Sequence, residues 1–211
     1  MTQSNTYSQT VNGMLNKLKM IKSVASNISN AGTSGYKREI PESVNFKSIL
    51  NEVVIRDQEQ GPLKKTGNKL DIAVEGNEYI LVESENGPVP TRDGKLGFND
   101  KGSLVTHDGH EVIIVEKTDK PISLAKESDI RINENGEIFA GTERYGRIAM
   151  KIMDNSPVKI YQGFVEGSNV NLMNEMVSMS LVFRSFEASE KALGMEASLD
   201  KELIEKYGRN V

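Results

Sequence analysis

The 211-residue chain carries 26 basic and 30 acidic residues, a formal charge of -4, and is 37% hydrophobic, enough to bury a core in one large domain or two small ones. Having no cysteine, it excludes disulfides, thiolate metal sites and cysteine nucleophiles. The balanced charge, with 6% aromatic residues and no tryptophan, provides neither the basic footprint nor the stacking platform of a nucleic-acid binder.

No stretch approaches the ~18 consecutive apolar residues of a membrane span, so no direct membrane insertion is expected. The opening Met1-Thr-Gln-Ser-Asn-Thr-Tyr7 lacks a basic region followed by an apolar core, and no cleaved signal peptide is expected. From there apolar residues recur at Tyr7, Val11, Met14, Leu18, Ile21, Ala25 and Ile28, alternating four and three apart. That spacing predicts a helix over about residues 5–30 with one apolar seam. Asn27, Asn30, Gly32 and Gly35 form its expected exit, because Asn and Gly can take the left-handed conformation that ends a helix.

Residues 36–60 read as an extended connector. Pro41 bars a helix there, and the runs Val44 to Leu50 and Val53 to Ile55 are short. From Gly61 short apolar runs alternate with turn residues: Leu70 to Val74, Tyr79 to Val82, Lys95 to Phe98, Ser103 to Val105, Glu111 to Val115, Ile130 to Ile132, Glu137 to Phe139, Arg147 to Met153 and Val158 to Tyr161. Gly76-Asn77, Asp93-Gly94, Asp100-Lys-Gly102, Asp108-Gly109 and Asn135-Gly136 separate them and tolerate the positive φ angles of tight hairpins. A mainly antiparallel β domain over 61–163 follows.

The last segment carries apolar residues at Leu172, Met176, Met179, Phe183, Phe186, Leu193 and Ala197, with Glu190 breaking the series. It predicts a second seamed helix of about 35 residues with Asn171 as N-cap, ending before Gly208. The fold class is therefore α+β: a mainly antiparallel β domain flanked by long N- and C-terminal coiled-coil-type helices. The expected division is 1–35, an axial helix and exit loop; 36–60, the connector; 61–163, the β domain; and 164–211, the second axial helix.

No residue set suggests catalysis or a cofactor. His107 and His110 flank Asp108-Gly109 on a predicted turn, with no further metal ligands converging on them. The acidic turns lack the twelve-residue calcium-loop spacing. Neither glycine-rich phosphate fingerprint occurs, and no nucleophile and base pair is recognisable, so no enzyme is expected.

Four blocks in order carry a resemblance. Ala25-Ser-Asn-Ile-Ser-Asn30-Ala-Gly-Thr-Ser-Gly-Tyr-Lys-Arg38 follows the first helix. Gln60-Gly-Pro-Leu-x-x-Thr66-Gly-Asn-x-Leu-Asp71-Ile-Ala-Val-Glu-Gly76 opens the β region. Thr91-Arg-Asp-Gly94, followed by Asp100-x-Gly102-x-Leu-Val-Thr106-x-x-Gly109, lies within it, and Gln162-Gly-Phe-Val-Glu-Gly-Ser-Asn-Val170 leads into the last helix. The chain resembles the flagellar basal-body rod proteins, the axial family of proximal and distal rod subunits and, more distantly, the hook.

The resemblance implies a structural subunit of the rod, of proximal type by slight preference. It would be exported without a cleaved signal through the flagellar type III export apparatus, and would polymerise helically with itself and other rod and hook proteins across the periplasmic space. The assembly interface would be Tyr7, Val11, Met14, Leu18, Ile21, Ala25 and Ile28 with Leu172, Met176, Met179, Phe183, Phe186 and Leu193. The family motif would be Asn27, Asn30, Gly35, Tyr36, Lys37, Gly163, Glu166, Ser168, Asn169 and Val170. The alternative from another class is a soluble β-domain binding module with a helical dimerisation stalk.

Overall fold

The computed structural model describes residues 2–40, 54–118, 130–153 and 159–207. It is α+β and divides into two compact units: one of residues 1–29, 39–57 and 171–211, the other of residues 30–38 and 58–170.

The first unit holds helix α1 (Thr2–Ser29), the two-residue antiparallel strands β1 (Glu39–Ile40) and β2 (Ile55–Arg56), and helix α2 (Leu172–Tyr207). The apolar spacing thus located both helices to within a few residues. The expected connector contains the β1–β2 pair, while its runs Val44 to Leu50 and residue Val53 fall outside the described residues. Asn171 caps α2 as expected, its Oδ1 accepting from the Asn174 N–H at 3.1 Å and so satisfying one of the orphan amides of the first turn. At 36 residues, α2 is roughly 54 Å long.

The second unit is all antiparallel β: β3 (Leu63–Lys65), β4 (Ile72–Glu75), β5 (Tyr79–Val82), β6 (Val89–Thr91), β7 (Leu96–Phe98), β8 (Leu104–Thr106), β9 (Ile114–Val115), β10 (Ile130–Ile132), β11 (Glu137–Ala140), β12 (Glu143–Ile148), β13 (Met150–Lys151), β14 (Lys159–Gln162) and β15 (Phe164–Glu166). The strands form small sheets ordered β10-β11-β12-β9, β13-β5-β6, β14-β4, β15-β3 and β7-β8. Alternation drives burial: Ile80 and Val82 point inward on β5, and Ile130 and Ile132 flank exposed Arg131 on β10. Ile72, Ile80, Ile130, Ile138 and Ile160 are the fully buried centre of one core, each worth about 1.5–3 kcal/mol of transfer free energy.

Two expectations need correction. The run Arg147 to Met153 is not one strand: β12 begins at Glu143, and β13 pairs with β5 in another sheet. Ala149 makes the break, donating its N–H to the Ile113 carbonyl and accepting from the Leu81 N–H. Among the turn glycines, Gly76, Gly102, Gly109 and Gly136 have positive φ but Gly94 does not. Gly94 is required because a Cβ there would stand 1.7 Å from the Ile72 carbonyl oxygen.

Candidate functional site: paired helices and a buried ionic clasp

Helices α1 and α2 pack antiparallel within the first unit. Lys17 Nζ donates to the Ser185 carbonyl at 2.9 Å and to Ser189 Oγ, and ten residues further along α1, Asn27 meets Glu175 of α2. The residues buried in this pair are Val24 and Asn27 on α1 and Glu175 and Val182 on α2. The predicted seams lie beside that face. On α1, Val11, Met14, Ile21 and Ile28 are half-buried, Ala25 is exposed and Leu18 is 47% exposed; the side chain of Tyr7 lies outside the described residues. On α2, Met179, Phe186 and Leu193 are half-buried, whereas Leu172, Met176 and Phe183 are exposed. An apolar row continues over the outside of α2 through Met173, Val177 and Leu181 and on to Met195, Leu199, Leu203 and Ile204.

Asn27 does not end its helix in a left-handed conformation. It sits within α1, fully buried, and its amide clasps the returning chain: Oδ1 accepts from the Glu39 N–H at 2.7 Å, and Nδ2 donates to the Glu39 carbonyl at 2.9 Å and to Glu175 Oε2 at 3.2 Å. Asn30 and Gly32 also keep negative φ, and Gly35 alone of the four takes the left-handed region, at φ 69°. An asparagine with both ends of its amide satisfied by one backbone residue has no reason to leave the helix. Thr33 N–H donates to the Asn30 carbonyl at 3.0 Å, which makes 30–33 a turn.

The second unit gathers the rest of the predicted motif around Glu166. This carboxylate, 1% exposed, accepts from Lys37 Nζ at 2.8 Å and the Gly61 N–H at 3.0 Å on Oε1, and from an Arg92 guanidinium nitrogen at 2.9 Å on Oε2. Two buried cations therefore share one carboxylate. The surplus positive charge is offset by carbonyls: Lys37 also donates to Glu59 at 2.7 Å, and Arg92 to Val74 at 3.1 Å and to Gly76. Arg92 further stacks 4.7 Å from the Tyr79 ring centroid, a favourable placement for a guanidinium.

Main-chain bonds complete the clasp. Gly35 N–H donates to the Glu166 carbonyl at 2.8 Å, and Arg38 N–H to Asn169 Oδ1 at 2.6 Å. Ser168 Oγ accepts from the Val170 N–H at 3.2 Å, and the Gly163 carbonyl, at φ 81°, accepts from Thr66 and Gly67. Tyr36 accepts at its carbonyl from the Asn169 N–H at 3.4 Å. Arg92 and Glu175 were missed as partners in the sequence. The Thr91-Arg-Asp-Gly94 block was legible as a turn and as part of the resemblance, with no partner assigned to Arg92.

His107 and His110 are exposed on their turn. Among the described residues no group of three His, Cys, Asp or Glu could hold a metal ion, and no helix is long and apolar enough to cross a membrane. Asp93 is half-buried, and burial pushes its carboxyl above the usual value, against the hydrogen bond it accepts from the Lys95 N–H at 3.1 Å. At the surface Arg144 bridges Glu116 and Glu137 at 2.5 and 3.0 Å, and its guanidinium holds the Glu116 carboxyl below the usual range.

Residues 161–205 match the family described as flagellar basal body rod FlgEFG protein C-terminal, and residues 73–140 match the flagellar hook protein FlgE/F/G D1 domain. The chain is 29% identical to the flagellar basal-body rod protein FlgF of Mesorhizobium japonicum, over 90% of this chain and 92% of that one. It is 28% identical to FlgF of Caulobacter vibrioides, over 88% and 91%, and 22% identical to the rod protein FlgG of Bacillus subtilis, over 92% and 96%. The two matched regions take in a large part of the β unit and most of α2, and the relatives align nearly end to end: the chain belongs to the flagellar basal-body rod protein family.

Proposed function

We propose that this chain is a structural subunit of the bacterial flagellar rod that polymerises helically through its terminal helices. The observation carrying the reading is the outer face of α2, where Met173, Met176, Val177, Leu181, Phe183, Met195, Leu199, Leu203 and Ile204 stand 46–73% exposed. Large apolar side chains gathered on two stretches of one helix, residues 172–183 and 195–204, mark an interaction surface rather than scattered surface residues. Copies that bury such rows against one another by a heterologous, non-closing contact build a filament.

In this reading the seams of α1 and α2 pack as coiled-coil surfaces between subunits, with residues 1–35 and 164–211 as axial segments, 36–60 as connector and 61–163 as the β domain. The neighbours are further copies and other rod and hook proteins, and the site of action is the basal body. The subunit reaches it through the flagellar type III export apparatus. The FlgF relatives favour the proximal position, and no catalytic or cofactor role is assigned.

The test is motility and rod recovery in cells carrying Leu18→Asp or Phe183→Asp. Both side chains are nearly half exposed in the subunit, so the charge is tolerated until a neighbour covers it, when desolvation of an unpaired carboxylate costs several kcal/mol at every interface. Loss of rods with the subunit's circular dichroism intact supports the reading, and His107→Ala should leave motility unchanged. Motile Leu18→Asp cells, or a discrete dimer as the final assembly state, would favour the binding-module alternative instead.

A further inference from the structure

We infer that the buried polar pair Asn27–Glu175 selects how α1 pairs with α2, fixing one antiparallel register against register-slipped pairings. Apolar packing alone cannot make that choice. The seams repeat every three or four residues on both helices, so a slip of seven residues puts similar side chains opposite each other. The two partners are 148 residues apart in sequence, and no short loop dictates their meeting. Polar contacts, in contrast, are complete in one register only: Asn27 with Glu175, and ten residues away on each helix, Lys17 with Ser185.

Both members of the pair are at most 1% exposed. In any slipped arrangement that loses their contact, a buried carboxylate faces apolar surface, and that arrangement is disfavoured. A single buried polar residue setting register at some cost in stability is an established device of paired helices. The pairing is a property of the isolated subunit, so its outcome is separate from whether the chain polymerises.

The chain has no cysteine, which gives clean reporters: Lys17→Cys with Ser189→Cys for the observed register, and Lys17→Cys with Glu196→Cys for a slip of one heptad, joined by a short bismaleimide. The otherwise unchanged chain should give the intrachain 17–189 product and little else. In Asn27→Leu/Glu175→Leu the 17–196 product should rise about tenfold relative to 17–189, the ratio set by losing one hydrogen bond to a charged group, while helical circular dichroism persists. Glu175→Gln, which keeps an acceptor for Asn27, should restore the original pattern. If the double variant does not fold, Glu175→Met decides, because it leaves both bonds from Asn27 to Glu39 in place. An unchanged 17–189 pattern in whichever of these variants folds overturns the inference.

Discussion

Replacing Glu166 with alanine tests the ionic clasp. The carboxylate is the shared acceptor for Lys37 and Arg92, whose side chains are 6% and 1% exposed. Its removal leaves the Lys37 ammonium and the Arg92 guanidinium buried with only carbonyl oxygens to face. Breaking a buried pair by deleting one partner costs about 3–5 kcal/mol, mostly from the charge left behind, and the Gly61 N–H loses its acceptor as well.

Against the 5–15 kcal/mol of a typical domain, that loss should lower the melting midpoint of the β unit by roughly 10–20 °C. Urea unfolding gives the free energy, and hydrogen exchange localises it to the peptides carrying β4, β15 and residues 35–38. Glu166→Gln should fall between, since one oxygen remains to accept. The cycle of Glu166→Leu and Arg92→Met, alone and combined, should return a coupling energy of about 2 kcal/mol, because each single change strands a partner. A cost below about 1 kcal/mol for Glu166→Ala, or independent single effects in the cycle, refutes the clasp as an energetic unit.

Gly35→Ala should destabilise the same unit by about 2 kcal/mol or more, since the residue is left-handed and a Cβ would meet the Arg92 backbone at 2.4 Å; the urea midpoint should fall with an unchanged slope. Asp93→Asn should stabilise the protein at neutral pH. Burial raises the Asp93 carboxyl above its ordinary value of 3.8, so its contribution to stability is fully present below 3.8 and lost as pH rises through the higher folded value. The gap between Asp93→Asn and the parent should therefore close as pH falls below 3.8, and a gap that widens on acidification contradicts the assignment. Glu116→Gln removes an exposed, screened carboxylate and should change the urea midpoint little.

The helices were legible because the sequence pattern and the backbone period coincide over many turns, and Asn171 is a cap in both readings. The face that α1 and α2 share was not legible. Periodicity picks the most apolar row, whereas the pair buries Asn27, Glu175 and Val182 and leaves Phe183 and Met176 outside. Strands β3 (Leu-Lys-Lys), β6 (Val-Pro-Thr) and β15 (Phe-Val-Glu) carry no apolar run to reveal them. β6 tolerates Pro90 because it is an edge strand. Of the motif, Lys37 and Glu166 were recognisable as a set, but a separation of 129 residues hides an ion pair from any local reading, and Arg92 was masked by its place beside an Asp-Gly turn.

The clasp also bears on how the β unit carries load. Lys37, Gly61 and Glu166 lie within four residues of three of the points where its chain segments begin or end, at residues 38, 58 and 170. A pull entering at any of these points reaches the buried carboxylate before it can peel a strand from its neighbour. Short-range ionic contacts are stiff and yield within a small extension, whereas ladders of two to four residues open one rung at a time. The unit should therefore resist torque without creep up to a threshold and then give way at once, and stretching single molecules through residues 38 and 170 should show one sharp rupture that Glu166→Ala turns into a gradual one.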